Sequence, residues 1–160
     1  MTSRAESILV LVAFLAATFF ASALGAFVTV RQLPGWYAEL QKPSWTPPGW
    51  VFTQVWTVLY AMIAVAAWRL WRKNGLMRDF APFAWWLFQL ILNAGWSAVF
   101  FGLRQPGMAM GELVFLWASI AMTMVMFWKR DRLAGALLVP YLAWTTFAGV
   151  LNFVIWRMNS

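Results

Sequence analysis

Five apolar runs separated by short polar segments dominate the hydrophobic pattern of the chain. They cover residues 7–30, 50–71, 80–103, 108–128 and 133–156. Each run matches the roughly 20 apolar residues that a helix needs to cross a bilayer. We therefore predict an all-α membrane protein, a bundle of five transmembrane helices with a long ordered first loop, formed by one domain over residues 1–160.

The first loop, residues 31–49, is the longest connection and combines large rings with prolines. Proline fixes its own φ and pushes the preceding residue out of the helical region, so Pro43, Pro47 and Pro48 predict that residues 42–49 are not helical. Flexible linkers are polar and small, which this loop is not. We predict an ordered lid over an apolar site; an interfacial belt of Trp and Tyr is the alternative.

Polar side chains occupy one face of the third run. Gln89, Asn93 and Trp96 are spaced i, i+4 and i+7 and therefore share a helix face. An amide in hydrocarbon is costly unless it finds a hydrogen-bond partner. These residues either join neighbouring helices or supply the few polar contacts of an apolar ligand pocket.

Aromatic side chains define faces on the second and fifth runs. Rings recur every four residues of the second run at Phe52, Trp56 and Tyr60. Pro140 is expected to kink the fifth helix near its first third. Beyond it, a face that we interpret as a concave wall contains Trp144, Ala148, Leu151 and Ile155.

Small residues form a stripe along the first run. It consists of Ala13, Ala17, Ala21 and Gly25. Such a stripe lets another helix approach closely, either within one chain or across a dimer. A secretory signal starting at Arg4 and cleaved near residues 21–23 is an alternative for this run, but the run exceeds the usual apolar core of about 7–15 residues.

The composition narrows the possible functions. Hydrophobic residues make up 63% of the chain and charged ones only 11%, against about 25% in globular proteins. The chain lacks Cys and His, which excludes thiol chemistry, Ser–His–Asp triads and histidine-ligated haem, and we expect no metal site. The acidic residues lie at or near the ends of apolar runs, which argues against an ion-coupled pump: Glu6, Glu39, Asp79, Glu112 and Asp131.

The basic residues predict the orientation. Five crossings place the N-terminus on the same side as the second and fourth connections. That side holds Arg4, Arg69, Arg72, Lys73, Arg78, Lys129, Arg130 and Arg132, and the other holds Arg31, Lys42, Arg104 and Arg157. The excess predicts a cytoplasmic N-terminus. Basic flanks of this kind explain the net charge of +7 without nucleic acid.

Several motifs together resemble one known family. They are Trp36-Tyr37, the segment KPSWTPP at residues 42–48, Trp56, Asn93 with Trp96, and Pro140-Tyr141-Leu142 followed by Trp144 and Leu151-Asn152. Across essentially the whole chain they resemble the translocator proteins, or tryptophan-rich sensory proteins, of the TspO/MBR family. The resemblance implies a five-helix bundle, often dimeric, whose first loop closes a pocket for porphyrins, haem and benzodiazepine-type compounds. The implied ligand-binding residues are Trp36, Tyr37, Pro47, Trp56, Tyr60, Asn93, Trp96, Trp144, Ala148 and Leu151.

The resemblance also implies the partners of the chain. Protoporphyrin IX or haem is the expected ligand, with no obligatory cofactor, and membrane lipids and a second copy of the chain, bound through small-residue helix faces, are the expected partners. Animal members bind cholesterol, but here Phe153 stands between Leu151 and Arg157 where the sterol motif has Tyr. We therefore lower the expectation of sterol binding.

Three functions remain open. The first is a receptor that senses or sequesters a tetrapyrrole, which needs no catalytic group. The second is light-dependent degradation of porphyrin, with Trp56 and Trp144 as the candidate reactive residues, because acid–base and nucleophilic groups are lacking. The third is transport of a tetrapyrrole or sterol. We rank them in this order.

Overall fold

The computed structural model describes residues 3–76 and 79–160, and within them it is helical without strands. The helices are α1 Arg4–Gln32, α2 Trp36–Glu39, α3 Gly49–Asn74, α4 Ala81–Ser97, α5 Pro106–Arg130, α6 Arg132–Ala136 and α7 Val139–Met158. A π-helical segment, Ala98–Gly102, extends α4. The all-α prediction is confirmed. Arg78, which entered the charge count, lies outside the described residues.

Within the described residues, five helical segments are long and apolar enough to cross a membrane. They are Arg4–Gln32, Gly49–Asn74, Ala81–Gly102, Pro106–Arg130 and Arg132–Met158. This confirms the expected number of spans and the prediction of a multi-pass membrane protein. The third helical segment is one residue shorter at each end than its predicted run, and the other four extend beyond theirs.

Local signals in the sequence explain where the helices begin. Ser3 and Glu6 form a capping box at the start of α1. Pro82 and Pro106 lie in the first turns of α4 and α5, where a missing N–H costs little. The kink predicted at Pro140 is a break instead: residues 137 and 138 form a turn, and Pro140 lies in the first turn of α7.

The spanning helices close into a ring. α1 packs against α3 and α4, α5 packs against α4, α6 and α7, and α3 contacts α6 and α7. The small-residue stripe contributes to this packing, because Ala21 and Gly25 are buried and a Cβ at Gly25 would lie 3.0 Å from Ser97 Oγ of α4. This part of the stripe agrees with packing inside the chain, whereas Ala13 is exposed.

Two clusters of buried apolar side chains fill the ring. The larger one extends from Phe14 on α1 to Tyr141 on α7. The smaller one, which we call the loop-end cluster, lies where α2 and the π-helical segment meet α7. It consists of Phe100, Phe101, Ala109, Leu151 and Ile155.

Candidate functional site

One lysine contributes several hydrogen bonds to the order of the first loop. The Nζ atom of Lys42 donates to the carbonyl oxygens of Tyr37 at 2.7 Å, Leu40 at 2.8 Å and Ala38 at 3.3 Å. An ammonium group has three donors, so these bonds use all of them. The short helix α2 inside this loop was not predicted. The prediction that residues 42–49 are not helical is correct for residues 42–48 and wrong for Gly49, which is the first residue of α3.

Aromatic rings of the loop lie on the loop-end cluster. The ring centroid of Trp36 is 5.8 Å from that of Phe100, and the centroid of Tyr37 is 5.4 Å from that of Phe101. Both loop rings are half-buried. The loop therefore covers an apolar surface. Trp50, at the start of α3, is exposed, as the alternative of an interfacial belt predicts.

A chain of hydrogen bonds crosses the centre of the bundle. The Tyr60 hydroxyl donates to Asn93 Oδ1, and Asn93 Nδ2 donates to the Tyr141 hydroxyl at 3.0 Å. The Tyr141 hydroxyl in turn donates to Gln89 Oε1 at 2.7 Å. All four side chains are buried. These hydrogen bonds thus join α3, α4 and α7.

A second polar connection lies closer to the loop. Trp96 Nε1 donates to Asn152 Oδ1 at 3.0 Å, and Asn152 Nδ2 donates to the carbonyl of Pro106 at 2.8 Å. These bonds join α4 to α7 and α7 to α5. The amide-rich face of the third span therefore joins helices, which was one of its two predicted roles.

An apolar groove separates α3 from α7. Its volume is about 610 Å³. Its walls are formed by Gln54, Val55, Val58, Leu59, Met62, Pro140, Ala143, Trp144 and Phe147. A groove of this size lies within the range of about 300–1,000 Å³ that small-molecule sites occupy.

Trp144 is the unusual residue of this groove. Its indole Nε1 is buried and has no hydrogen-bond partner among the described residues. Its ring packs between Phe52, with centroids 5.6 Å apart, and Phe147, with centroids 5.1 Å apart. Trp45 of the loop lies 5.9 Å from Phe147, so a row of rings connects the loop to the groove.

The predicted ligand-binding residues fall into separate places. Around Phe100 lie Trp36, Tyr37, Trp96 and Leu151. In or beside the central hydrogen-bond chain lie Trp56, Tyr60 and Asn93, with the Trp56 ring 5.5 Å from Tyr60. Trp144 lines the groove, and Pro47 and Ala148 are half-buried in the loop and on α7. Ligand contact by these residues stays a prediction.

Tyr141 was missed as a central residue. It lies in the motif Pro140-Tyr141-Leu142, but its position in the apolar run does not distinguish it from an ordinary aromatic residue of the core. Its position between Asn93 and Gln89 depends on the packing of α7 beside α4.

Glu112 lies near the end of its span, as predicted for the acidic residues, but its carboxyl group is buried. It lies in the second turn of α5, and both carboxylate oxygens are buried without a hydrogen-bond partner among the described residues. One oxygen would lie 3.6 Å from a Cβ built on Gly95 of α4. The carboxyl group of Glu112 thus lies between the two helices, beside Gly95.

Comparison with known proteins identifies relatives along the whole chain. Residues 11–157 match the model of the TspO/MBR family. The chain is 41% identical over 145 residues to the translocator protein of Homo sapiens, covering 87% of this chain and 86% of that protein. It is 37% identical over 154 residues to the tryptophan-rich protein TspO of Archaeoglobus fulgidus, covering 96% and 99%. It is 41% identical over 139 residues to the TspO protein of Chlorobaculum tepidum, covering 84% and 86%.

Proposed function

Since the chain belongs to the TspO/MBR family, we propose that this membrane sensor or translocator is a receptor for a tetrapyrrole, protoporphyrin IX or haem. The ligand lies in the groove between α3 and α7, against Trp144 and beneath the first loop. Binding in the groove either triggers a signal from the receptor or sequesters the ligand. Benzodiazepine-type compounds, which are also aromatic and apolar, compete for the same groove.

The observation that carries this proposal is the unpartnered N–H of Trp144. A buried donor without an acceptor costs about 1–3 kcal/mol, and a ligand that brings an acceptor relieves that cost. The walls of the groove are otherwise mostly apolar. A tetrapyrrole combines the two required features, because it has a large flat π-system and carboxylate oxygens at its edge.

The rings around Trp144 support a flat ligand. Phe52 and Phe147 flank the indole at centroid distances of 5.6 Å and 5.1 Å. Aromatic contacts contribute about 0.5–1.5 kcal/mol each beyond the apolar area that they bury. The Trp144 N–H is buried, so a ligand reaches it only if neighbouring side chains move.

The loop supports a role as cover for the groove. Trp45 packs on Phe147, and Phe147 itself forms part of the groove wall. A ligand that displaces Phe147 would therefore also move Trp45 in the loop. This contact gives a physical route by which occupancy of the groove could change the surface of the bundle.

Binding of protoporphyrin IX to the chain in lipid nanodiscs, followed by the porphyrin absorbance band, tests the proposal. Trp144→Phe keeps an aromatic ring but removes the N–H. The affinity for porphyrin should fall a fewfold to tenfold, because one hydrogen bond contributes about 0.5–1.5 kcal/mol. Trp117→Phe is the matched control, because that exposed indole already donates to Thr146 at 2.8 Å. Equal affinities for the two variants would contradict the assignment of the site.

A second pair of variants tests the groove itself. Ala143→Trp should fill the groove and abolish binding, whereas Ala118→Trp on the exposed side of α5 should not. Undiminished binding by Ala143→Trp would place the ligand elsewhere.

Two further measurements separate the alternative functions. Loss of the porphyrin in light but not in darkness would favour degradation, and porphyrin flux into sealed liposomes would favour transport.

A further inference from the structure

A cleft lined by basic side chains opens at the end of the bundle that carries the N-terminus. It lies where the last turns of α3 and α5 meet the start of α6, and its volume is about 420 Å³. Five cationic side chains line it: Arg69, Lys73, Lys129, Arg130 and Arg132. We call it the basic cleft. It lies at the other end of the bundle from the first loop and is separate from the groove between α3 and α7.

The positive charge of the basic cleft is only partly neutralised. Asp131 pairs with Arg69 at 3.1 Å, and Asp79 pairs with Arg130. In the described part of the chain, Lys129 and Arg132 form no ion pair, and both are exposed. These two carboxylates therefore offset only two of the five cations, and an anion would find donors that are not already used.

Asp131 holds one wall of the basic cleft in place. Its carboxylate accepts from the backbone N–H groups of Leu133 at 2.9 Å and Ala134 at 3.0 Å, which caps α6, and it also holds Arg69. Burial raises the pKa of Asp131, but the hydrogen bonds from Ala134 and Arg69 outweigh it and leave the pKa below its ordinary value. The carboxylate is therefore charged at neutral pH.

Close packing of α6 on α5 also fixes the shape of the cleft. A Cβ built on Gly135 would lie 2.7 Å from the Cα of Trp128, so only glycine allows this approach. Lys73 also binds across the cleft, because its Nζ donates to the carbonyl of Arg130 at 2.7 Å. Helix termini, an ion pair and a glycine contact thus shape the cleft before any ligand arrives.

Two exposed apolar side chains at the rim indicate the kind of anion. Trp128 is 45% exposed and Leu133 is 59% exposed, and both line the cleft. They lie at the ends of membrane-spanning segments, where tryptophan favours the boundary between water and lipid. A free phosphate would contact only the cations, whereas a phospholipid also has a glycerol backbone and acyl chains that would cover these two side chains.

We propose that the basic cleft binds an anionic phospholipid, with the headgroup phosphate among Arg69, Lys129 and Arg132 and the acyl chains against Trp128 and Leu133. Arginine binds phosphate through two parallel hydrogen bonds, and basic pockets between spanning helices suit anionic headgroups. The bound lipid belongs to the leaflet on the side of the N-terminus. This proposal is independent of the tetrapyrrole site.

The test is a lipid titration of the full chain in detergent, with bound lipid counted by native mass spectrometry. Phosphatidylglycerol should bind more tightly than phosphatidylcholine. The double variant Lys129→Gln/Arg132→Gln should weaken phosphatidylglycerol binding about fivefold for each charge removed. Both residues are exposed, so the unfolding temperature of the lipid-free variant should equal that of the wild type.

The matched control is Arg31→Gln/Arg157→Gln. It removes the same charge from exposed residues at the opposite end of the bundle. It should retain wild-type affinity for phosphatidylglycerol. Equal losses in the two double variants would show general electrostatic attraction and would overturn the proposal, as would displacement of the lipid by an equal concentration of inorganic phosphate.

Discussion

The side chain of Asn159 and the backbone of Gln41 exchange two hydrogen bonds, each 2.9 Å long. Asn159 follows the last turn of α7, and Gln41 lies in the first loop. The pair is separated by 118 residues in the sequence. It ties the C-terminal end of the bundle to the loop, in addition to the contacts that Lys42 makes within the loop.

We predict that Asn159→Ala loosens the loop without unfolding the bundle. Both hydrogen bonds to Gln41 are lost, while the helices keep their packing. Hydrogen exchange of the Gln41 amide, which donates to Asn159 Oδ1, should become a fewfold faster, measured by mass spectrometry on the chain in nanodiscs. Ser160→Ala is the control, because that hydroxyl donates to the carbonyl of Trp156 within its own turn. Unchanged exchange of this amide would mean that other contacts alone order the loop.

Replacing Pro47 and Pro48 by Gly should weaken porphyrin binding. Each proline in a compatible conformation contributes about 0.4–1 kcal/mol by restricting the flexible state. A fewfold to tenfold loss of affinity is therefore expected, with little change in the unfolding temperature of the unliganded chain. If the affinity is unchanged, the loop is an interfacial belt and does not act as a lid.

Tyr141→Phe should destabilise the bundle. It removes the donor to Gln89 and the acceptor of Asn93, and both partners are buried. Buried polar groups left without partners cost about 1–3 kcal/mol. Thermal unfolding in detergent measures the loss, and Tyr37→Phe, at a half-buried loop position, is the comparison. Equal stability of the two variants would show that the central hydrogen bonds contribute nothing to stability beyond packing.

Two glycines on neighbouring helices should respond to alanine in opposite ways. At Gly135 a Cβ meets the backbone of Trp128 at 2.7 Å, and overpacking of this kind costs about 1–3 kcal/mol. At Gly111 of α5 nothing lies within 4 Å of the added Cβ, and alanine should stabilise the helix by about 0.5–1 kcal/mol. Thermal unfolding of Gly135→Ala and Gly111→Ala checks both signs. Similar shifts would contradict the close approach of α6 to α5.

Trp56 and Trp144 should act on one ligand. The ring centroid of Trp56 is 6.1 Å from that of Tyr141, whereas Trp144 lines the groove. The two indoles therefore act together only if one bound ligand contacts both. Trp56→Phe and Trp144→Phe should each weaken porphyrin binding, and a double-mutant cycle should show coupling of at least about 0.5 kcal/mol. Any light-dependent loss of porphyrin should decline more than binding, because phenylalanine is a poorer electron donor. Additive losses, with photochemistry following occupancy alone, would separate the two residues.

Residues near each other in the sequence determined the elements. The apolar runs predict five spanning helices because each must satisfy its own backbone hydrogen bonds in lipid, and the prolines of residues 43–48 prevent helix where the loop lies. The spacing of Gln89, Asn93 and Trp96 places them on one face of α4 because a helix repeats every 3.6 residues. These inferences use only local geometry.

Tertiary structure alone decided which faces meet. The order of helices in the ring brings Tyr141 of α7 to Asn93 of α4, opens the groove beside Trp144 and encloses Glu112 against Gly95. It also brings the ends of α3 and α5 to α6, where Gly135 and Asp131 shape the basic cleft. Periodicity predicts the face of a helix but not its partner, because the choice of partner depends on the packing of the whole bundle.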